Sequence, residues 1–96
     1  MSTDRHSFDP ALPHGLAASV SLRPEPFGAL VYDFETRRLS FLKTPLLVTV
    51  VRELHRHPDA HGALAAAAVP ADEHGPYLRA LAGLFDTGVI RVRPAP

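Results

Sequence analysis

The sequence predicts an α+β fold, a three-stranded antiparallel sheet followed by three helices. Two observations carry this expectation. Residues 19–43 collect β-branched, aromatic and leucine residues in short runs separated by prolines and a polar turn, as half-buried strands do. From Thr44 and Pro45 onward the apolar residues recur every third or fourth position, which is the helical period.

The elements follow in order. Residues 1–16 are rich in Asp, His, Ser and Pro without periodicity, so they are expected to form a flexible arm. The domain is expected to span residues 17–92, with a tail at 93–96. In residues 19–23, SVSLR, Val20 and Leu22 share one face. Pro24 and Pro26 then interrupt any ladder, because proline donates no backbone hydrogen bond. The motif Pro24-Glu25-Pro26-Phe27-Gly28 suits a rigid corner with Phe27 capping the core; its alternative use is to present Glu25 and Phe27 to a partner. Residues 28–33, GALVYD, are apolar at nearly every position, as expected of a central strand. Residues 34–37 form a polar turn without an Asn-Gly signal. In residues 38–43, RLSFLK, Leu39 and Phe41 lie on one side and Arg38, Ser40 and Leu42 on the other.

Thr44 is placed to cap a helix whose first position is Pro45, and Leu47, Val50, Val51 and Leu54 form its stripe until His57-Pro58. Asp59 caps a short alanine-rich helix to about Ala68. A third helix is expected from Asp72 or Glu73 to Thr87, with Tyr77, Leu78, Leu81, Leu84 and Phe85 on one face and Gly88 at its C′ position. Residues 89–92, VIRV, suit a terminal strand or an extended tail. This order is that of a winged helix-turn-helix domain.

Composition narrows the function classes. With 96 residues, the chain holds one small core. Lys plus Arg equals Asp plus Glu at 10 each, so no global field recruits nucleic acid or an anionic membrane. There is no cysteine, which removes thiolate metal sites and accords with a reducing cytoplasm. No stretch resembles a secretory signal or a membrane span. His55, His57, His61 and His74 do not share a helical face in metal-ligand spacing, and no nucleophile neighbours a base, so neither a metal site nor a catalytic residue is expected. A nucleic-acid reader is the alternative for a winged helix, but the third helix carries only Arg79 against Asp72, Glu73 and Asp86.

The segments RPEPFGALVYDFETRRLSFLK, LLVTVVREL, PDAHGALAAAAV and YLRALAGLFDTGVI together resemble the mycofactocin biosynthesis chaperone family, over about residues 16–91. The most specific parts are residues 23–28 and 38–43. That family belongs to the PqqD-like RiPP recognition elements. The resemblance implies a PqqD-like domain without cofactor or catalysis, a peptide chaperone for the mycofactocin precursor that delivers it to a radical S-adenosylmethionine maturase. From composition and the free edge, the chain is expected to be cytoplasmic, to bind neither nucleic acid nor membrane, and to be a monomer or weak edge-strand dimer. In that family the precursor's leader adds as a strand beside the third strand, in the groove toward the third helix. Carried over, the peptide-binding residues are Arg37, Arg38, Leu39, Ser40, Phe41, Leu42 and Lys43 with Tyr77, Leu81 and Leu84. Leu39, Phe41, Tyr77, Leu81 and Leu84 are expected to line an apolar slot. Arg37, Arg38, Lys43 and Arg79 are expected to hold acidic leader residues and to deter self-pairing.

Overall fold

The computed structural model describes residues 7–94. It contains five strands, β1 (His14–Leu16), β2 (Val20–Glu25), β3 (Gly28–Asp33), β4 (Arg38–Leu42) and β5 (Ile90–Val92). Three α-helices, α1 (Pro45–Glu53), α2 (Ala60–Ala66) and α3 (His74–Asp86), lie between β4 and β5, with 3-10 turns at Leu54–Arg56 and Ala71–Glu73. The strands β2, β3 and β4 form an antiparallel sheet with β3 central, and β1 pairs with β5 in a separate antiparallel ribbon.

The sheet follows from its two hairpins. Glu25 pairs with Gly28 across the two-residue turn Pro26-Phe27, and the register continues through Leu22–Val31 to Val20–Asp33. The ladder therefore runs past Pro24, which the sequence suggested would end it. Pro24 sits opposite Ala29, a position whose backbone nitrogen points away from β3, so the missing N–H removes no bond. The second turn is organised by Asp33. Its carboxylate accepts from the Ser19 hydroxyl at 2.8 Å and from the N–H groups of Glu35 and Thr36 at 2.9 and 3.3 Å. The turn closes with Arg37 in the left-handed region at φ 61° and its N–H on the Asp33 carbonyl at 2.7 Å.

Local chemistry sets the starts of α1 and α2 and the ends of α2 and α3. The Thr44 hydroxyl accepts from the Leu47 N–H at 3.1 Å with Pro45 in the first turn, and the Asp59 carboxylate accepts from the Gly62 N–H at 2.7 Å. At the end of α3, Gly88 at φ 82° donates to the Phe85 carbonyl while Val89 donates to that of Leu84, a Schellman closure. The end of α2 repeats this pattern with Ala68 at φ 62°, donating to Ala65, and Val69 donating to Leu64. A Cβ is held there where glycine is preferred.

The core joins sheet to helices. Ala29, Val31 and Leu42 face Val50, Val51 and Leu54 of the first helical segment, and Leu64, Leu81 and Ile90 are fully buried with them. Each large member contributes about 2 kcal/mol by leaving water.

The N-terminal segment corrects the expected boundary at Ala17. Leu16 pairs with Ile90 and His14 with Val92, so the fold begins before residue 17. Phe8 stacks on His14 with ring centroids 4.7 Å apart, and the Pro10 carbonyl accepts from Ala60 at 2.9 Å. The expected arm over residues 1–6 lies outside the described residues, as do positions 95 and 96 of the tail. Arg93, also assigned to the tail, is fixed by donating from Nε to the His14 carbonyl at 2.9 Å and from Nη2 to the His57 carbonyl. His14 itself is wholly buried between Phe8 and Phe85. Its Nδ1–H donates to the Leu12 carbonyl at 2.9 Å, and its Nε2 has no partner among the described residues. Burial holds its pKa below the usual histidine value.

Three outcomes test this account. Gly28→Ala would place a Cβ 1.9 Å from the Leu42 carbonyl oxygen, and is expected to lower stability by about 2 kcal/mol or more in urea denaturation. Ala68→Gly is expected to raise it by about 0.5–1 kcal/mol, because the left-handed residue loses its Cβ. The unfolded chain protonates His14 near 6.5 while the folded chain resists, so stability should be full above that pH and decline as pH falls below it. In thermal melts across pH 8 to 5, His14→Phe should show a smaller decline than the parent.

Candidate functional site

The strand order leaves two sheet edges, β2 and β4, and they differ. The outer side of β2 has lost a donor at Pro24. In β4 the alternation of an antiparallel ladder directs the backbone groups of Arg38, Ser40 and Leu42 toward β3, opposite Asp33, Val31 and Ala29. The N–H and C=O of Leu39 and Phe41 then point off the sheet. This edge carries no proline, and Leu39 is 65% exposed.

The side chains divide by the same alternation. Leu42 is buried in the core, and Ser40 shares its face. Leu39 and Phe41 turn to the opposite, outer face, across from Tyr32 and Leu30. There Phe41 meets Phe27, with centroids 5.4 Å apart, and Tyr32 meets Phe34 at 5.0 Å. Phe27 and Phe34 are 60% and 61% exposed. Phe27 therefore does not cap the core as the corner motif suggested; it extends an aromatic patch on the outer face.

The single apolar slot expected from sequence does not assemble. Leu81 is fully buried, and Leu42 likewise, so neither side chain is open to a ligand. Tyr77 and Leu84 of α3 are half-buried and packed against the core. Leu39 and Phe41 lie on the other face of the sheet from this core. What flanks β4 on the inner side is a small cleft of about 100 Å³ lined by Asp33, Arg38, Leu39 and Ser40 with Thr87 and Val89. An extended segment beside β4 would thus alternate its side chains between this cleft and the outer aromatic patch.

The charges around the edge are available. Arg37, Arg38, Lys43 and Arg79 are exposed, and none joins an ion pair among the described residues. Asp33, opposite Arg38, is committed to the turn. The Ser19 hydroxyl, followed by the Glu35 and Thr36 N–H groups, holds its pKa below the ordinary carboxylate value.

The histidines serve local structure. His57 Nε2 lies 3.1 Å from Glu53, and His74 Nε2 lies 3.0 Å from the Val69 carbonyl. Among the described residues no group of three metal-ligating side chains converges. No described helix is long and apolar enough to cross a membrane.

Sequence reasoning missed the outer patch because it paired Leu39 and Phe41 with the third helix. The signal was present in the second turn: once Asp33 is set opposite Arg38, Phe41 falls opposite Leu30, and Leu42 falls opposite Ala29.

Comparison with known proteins bears on this arrangement. Residues 13–91 match the Peptide chaperone MftB family. Proteins named Peptide chaperone MftB are similar along most of the chain. One from Mycolicibacterium smegmatis is 50% identical over 84 residues, covering 88% of this chain and 82% of its own. One from Mycobacterium ulcerans is 54% identical over 78 residues, covering 81% and 72%. One from Mycobacterium tuberculosis is 42% identical over 87 residues, covering 91% and 80%. No solved structure matches significantly. The match begins at residue 13, just before β1, and ends inside β5, so it includes the ribbon as well as the sheet. The chain belongs to the peptide chaperone MftB family, a family of chaperones and not of enzymes.

Proposed function

We propose that this chaperone holds the leader region of the mycofactocin precursor as a fourth strand on the free edge of β4 and presents it to a radical S-adenosylmethionine maturase in the cytoplasm. The observation that carries the reading is the asymmetry of the two edges. The β2 edge is blunted by Pro24, whereas Leu39 and Phe41 leave two donors and two acceptors facing outward on β4. Backbone pairing of this kind depends little on the peptide's sequence, and selectivity comes from what its alternating side chains meet. On one side they meet Phe41 and Phe27, on the other the cleft at Arg38, Ser40 and Thr87. The unpaired cations Arg37, Arg38 and Lys43 suit acidic residues of the leader and discourage two copies from joining edge to edge. Any dimer formed through β4 would compete with the peptide, so the working state is the monomer. The reactive chemistry belongs to the maturase.

The test separates backbone pairing from side-chain capture. Leu39→Pro removes an outward donor and leaves the β3–β4 ladder intact, so it should weaken binding of a synthetic leader by roughly tenfold while the melting curve changes little. Ser40→Pro removes an inward donor and should destabilise the fold instead. In amide exchange on the parent chain, the leader should slow Leu39 and Phe41 and leave Ser40, already bonded to β3, little changed. Unaltered exchange at Leu39 and Phe41 with the leader bound would place the peptide elsewhere.

A further inference from the structure

A second concavity shares no lining residue with β3 or β4. It is a cleft of about 520 Å³ between the β1–β5 ribbon and α1, whose apolar part is Gly15, the exposed Leu16 and the edge of the otherwise buried Val51. Around it stand Arg52, His55, Arg56 and Arg93. Arg52, His55 and Arg56 are spaced three and four residues apart and so share one side of the helical segment. Arg93 approaches from β5's end, and its guanidinium is fixed by the carbonyls of His14 and His57.

The charge of this cleft is unbalanced in a chain whose formal net charge is zero. Its one lining carboxylate, Glu53, is already engaged, by His57 Nε2 at 3.1 Å and by Arg56 at 3.7 Å. Arg52 is exposed and joins no ion pair among the described residues. The Arg56 side chain remains 66% exposed despite its contact with Glu53. Three guanidinium groups thus face one spent carboxylate, beside the exposed side chain of Leu16. Guanidinium groups recognise carboxylates through paired donors, and one whose orientation is fixed in advance loses little entropy in doing so.

We propose that this cleft is a second docking site, for a short acidic segment of a protein partner in which carboxylates flank an apolar residue. Leu16 gives a side chain such as leucine an apolar contact that inorganic phosphate or a nucleic-acid backbone would leave unused. Three cations are also too few to follow a phosphate chain. The cleft is built from β1, α1 and β5, so this inference does not rest on what occupies β4. It gives the chaperone separate surfaces for two partners at once.

The test titrates the isotope-labelled chain with an acetylated octapeptide of alternating Asp-Glu pairs and leucines, and with its counterpart in which every acid is lysine. The acidic peptide should shift the amide resonances of Gly15, Leu16, Arg52, His55 and Arg56. It should bind several-fold more weakly when salt is raised from about 50 to about 300 mM. The lysine peptide should not bind. Arg52→Glu with Arg56→Glu should reduce affinity at least tenfold, and Arg52→Gln alone by a smaller factor, with the amide exchange of β4 unaltered. Absence of binding, equal binding of the lysine peptide, shifts confined to residues 38–43, or tighter binding of a short duplex DNA would each overturn the proposal. Loss of leader binding at β4 with this cleft still competent would instead defeat only the reading of the edge.

Discussion

The backbone of Gly28 and the carbonyl of Leu42 approach so closely that no side chain fits between them, and the phase of β4 depends on that approach. With Leu42 drawn against β3, its side chain enters the core beside Ala29 and Val31. Ser40 must then share the inner face, and Leu39 and Phe41 must face out. The outward N–H groups of the edge, the aromatic patch and the inner cleft all follow from this one phase. The start of α1 follows as well, because Thr44 stands two residues beyond Leu42 and turns the chain into the helix that covers the sheet.

The elements that were legible in the sequence are those decided by neighbours along the chain. Thr44-Pro45, Asp59 and Gly88 fix their helix ends through bonds to residues within a few positions, so the caps could be named before the fold. β3 and β4 were legible for the same reason. The phase of β4 was not, because residues 28–33 are apolar at nearly every position and hydrophobicity gives a central strand no preferred face. β1 was hidden for a different reason. It is three residues long, follows Pro13 and takes its partner from the opposite end of the chain. The basic cleft was invisible because its arginines come from positions 52, 56 and 93, and only folding brings them together. The two candidate surfaces thus illustrate opposite cases: residues 37–43 announced themselves, although their slot was wrongly composed, whereas the cleft left only the Arg52 and Arg56 spacing as a trace.

A domain of this size has few elements to spare, and α1 serves both sides of the molecule. Its inner face supplies Val50 and Val51 to the core beneath the sheet, while Arg52 and the following turn supply the wall of the cleft. A rigid, fully buried seam therefore lies between the free edge and the cleft. Close-packed seams transmit displacement poorly unless they have two arrangements, so the simplest expectation from the packing is that the two surfaces work as independent holds on a common frame.

The ribbon of β1 and β5 also has a meaning for the order in which the protein assembles. Arg93 and His14 are 79 residues apart, so their contact closes a loop that contains every other element. Such a closure is entropically costly until the hairpins and helices between have shortened the effective path. The sheet and its helices are the natural early unit, and the ribbon is the late one. The walls supplied by Leu16 and Arg93 thus come together only after the sheet and helices are in place, and the buried His14 and Ile90 then hold them there.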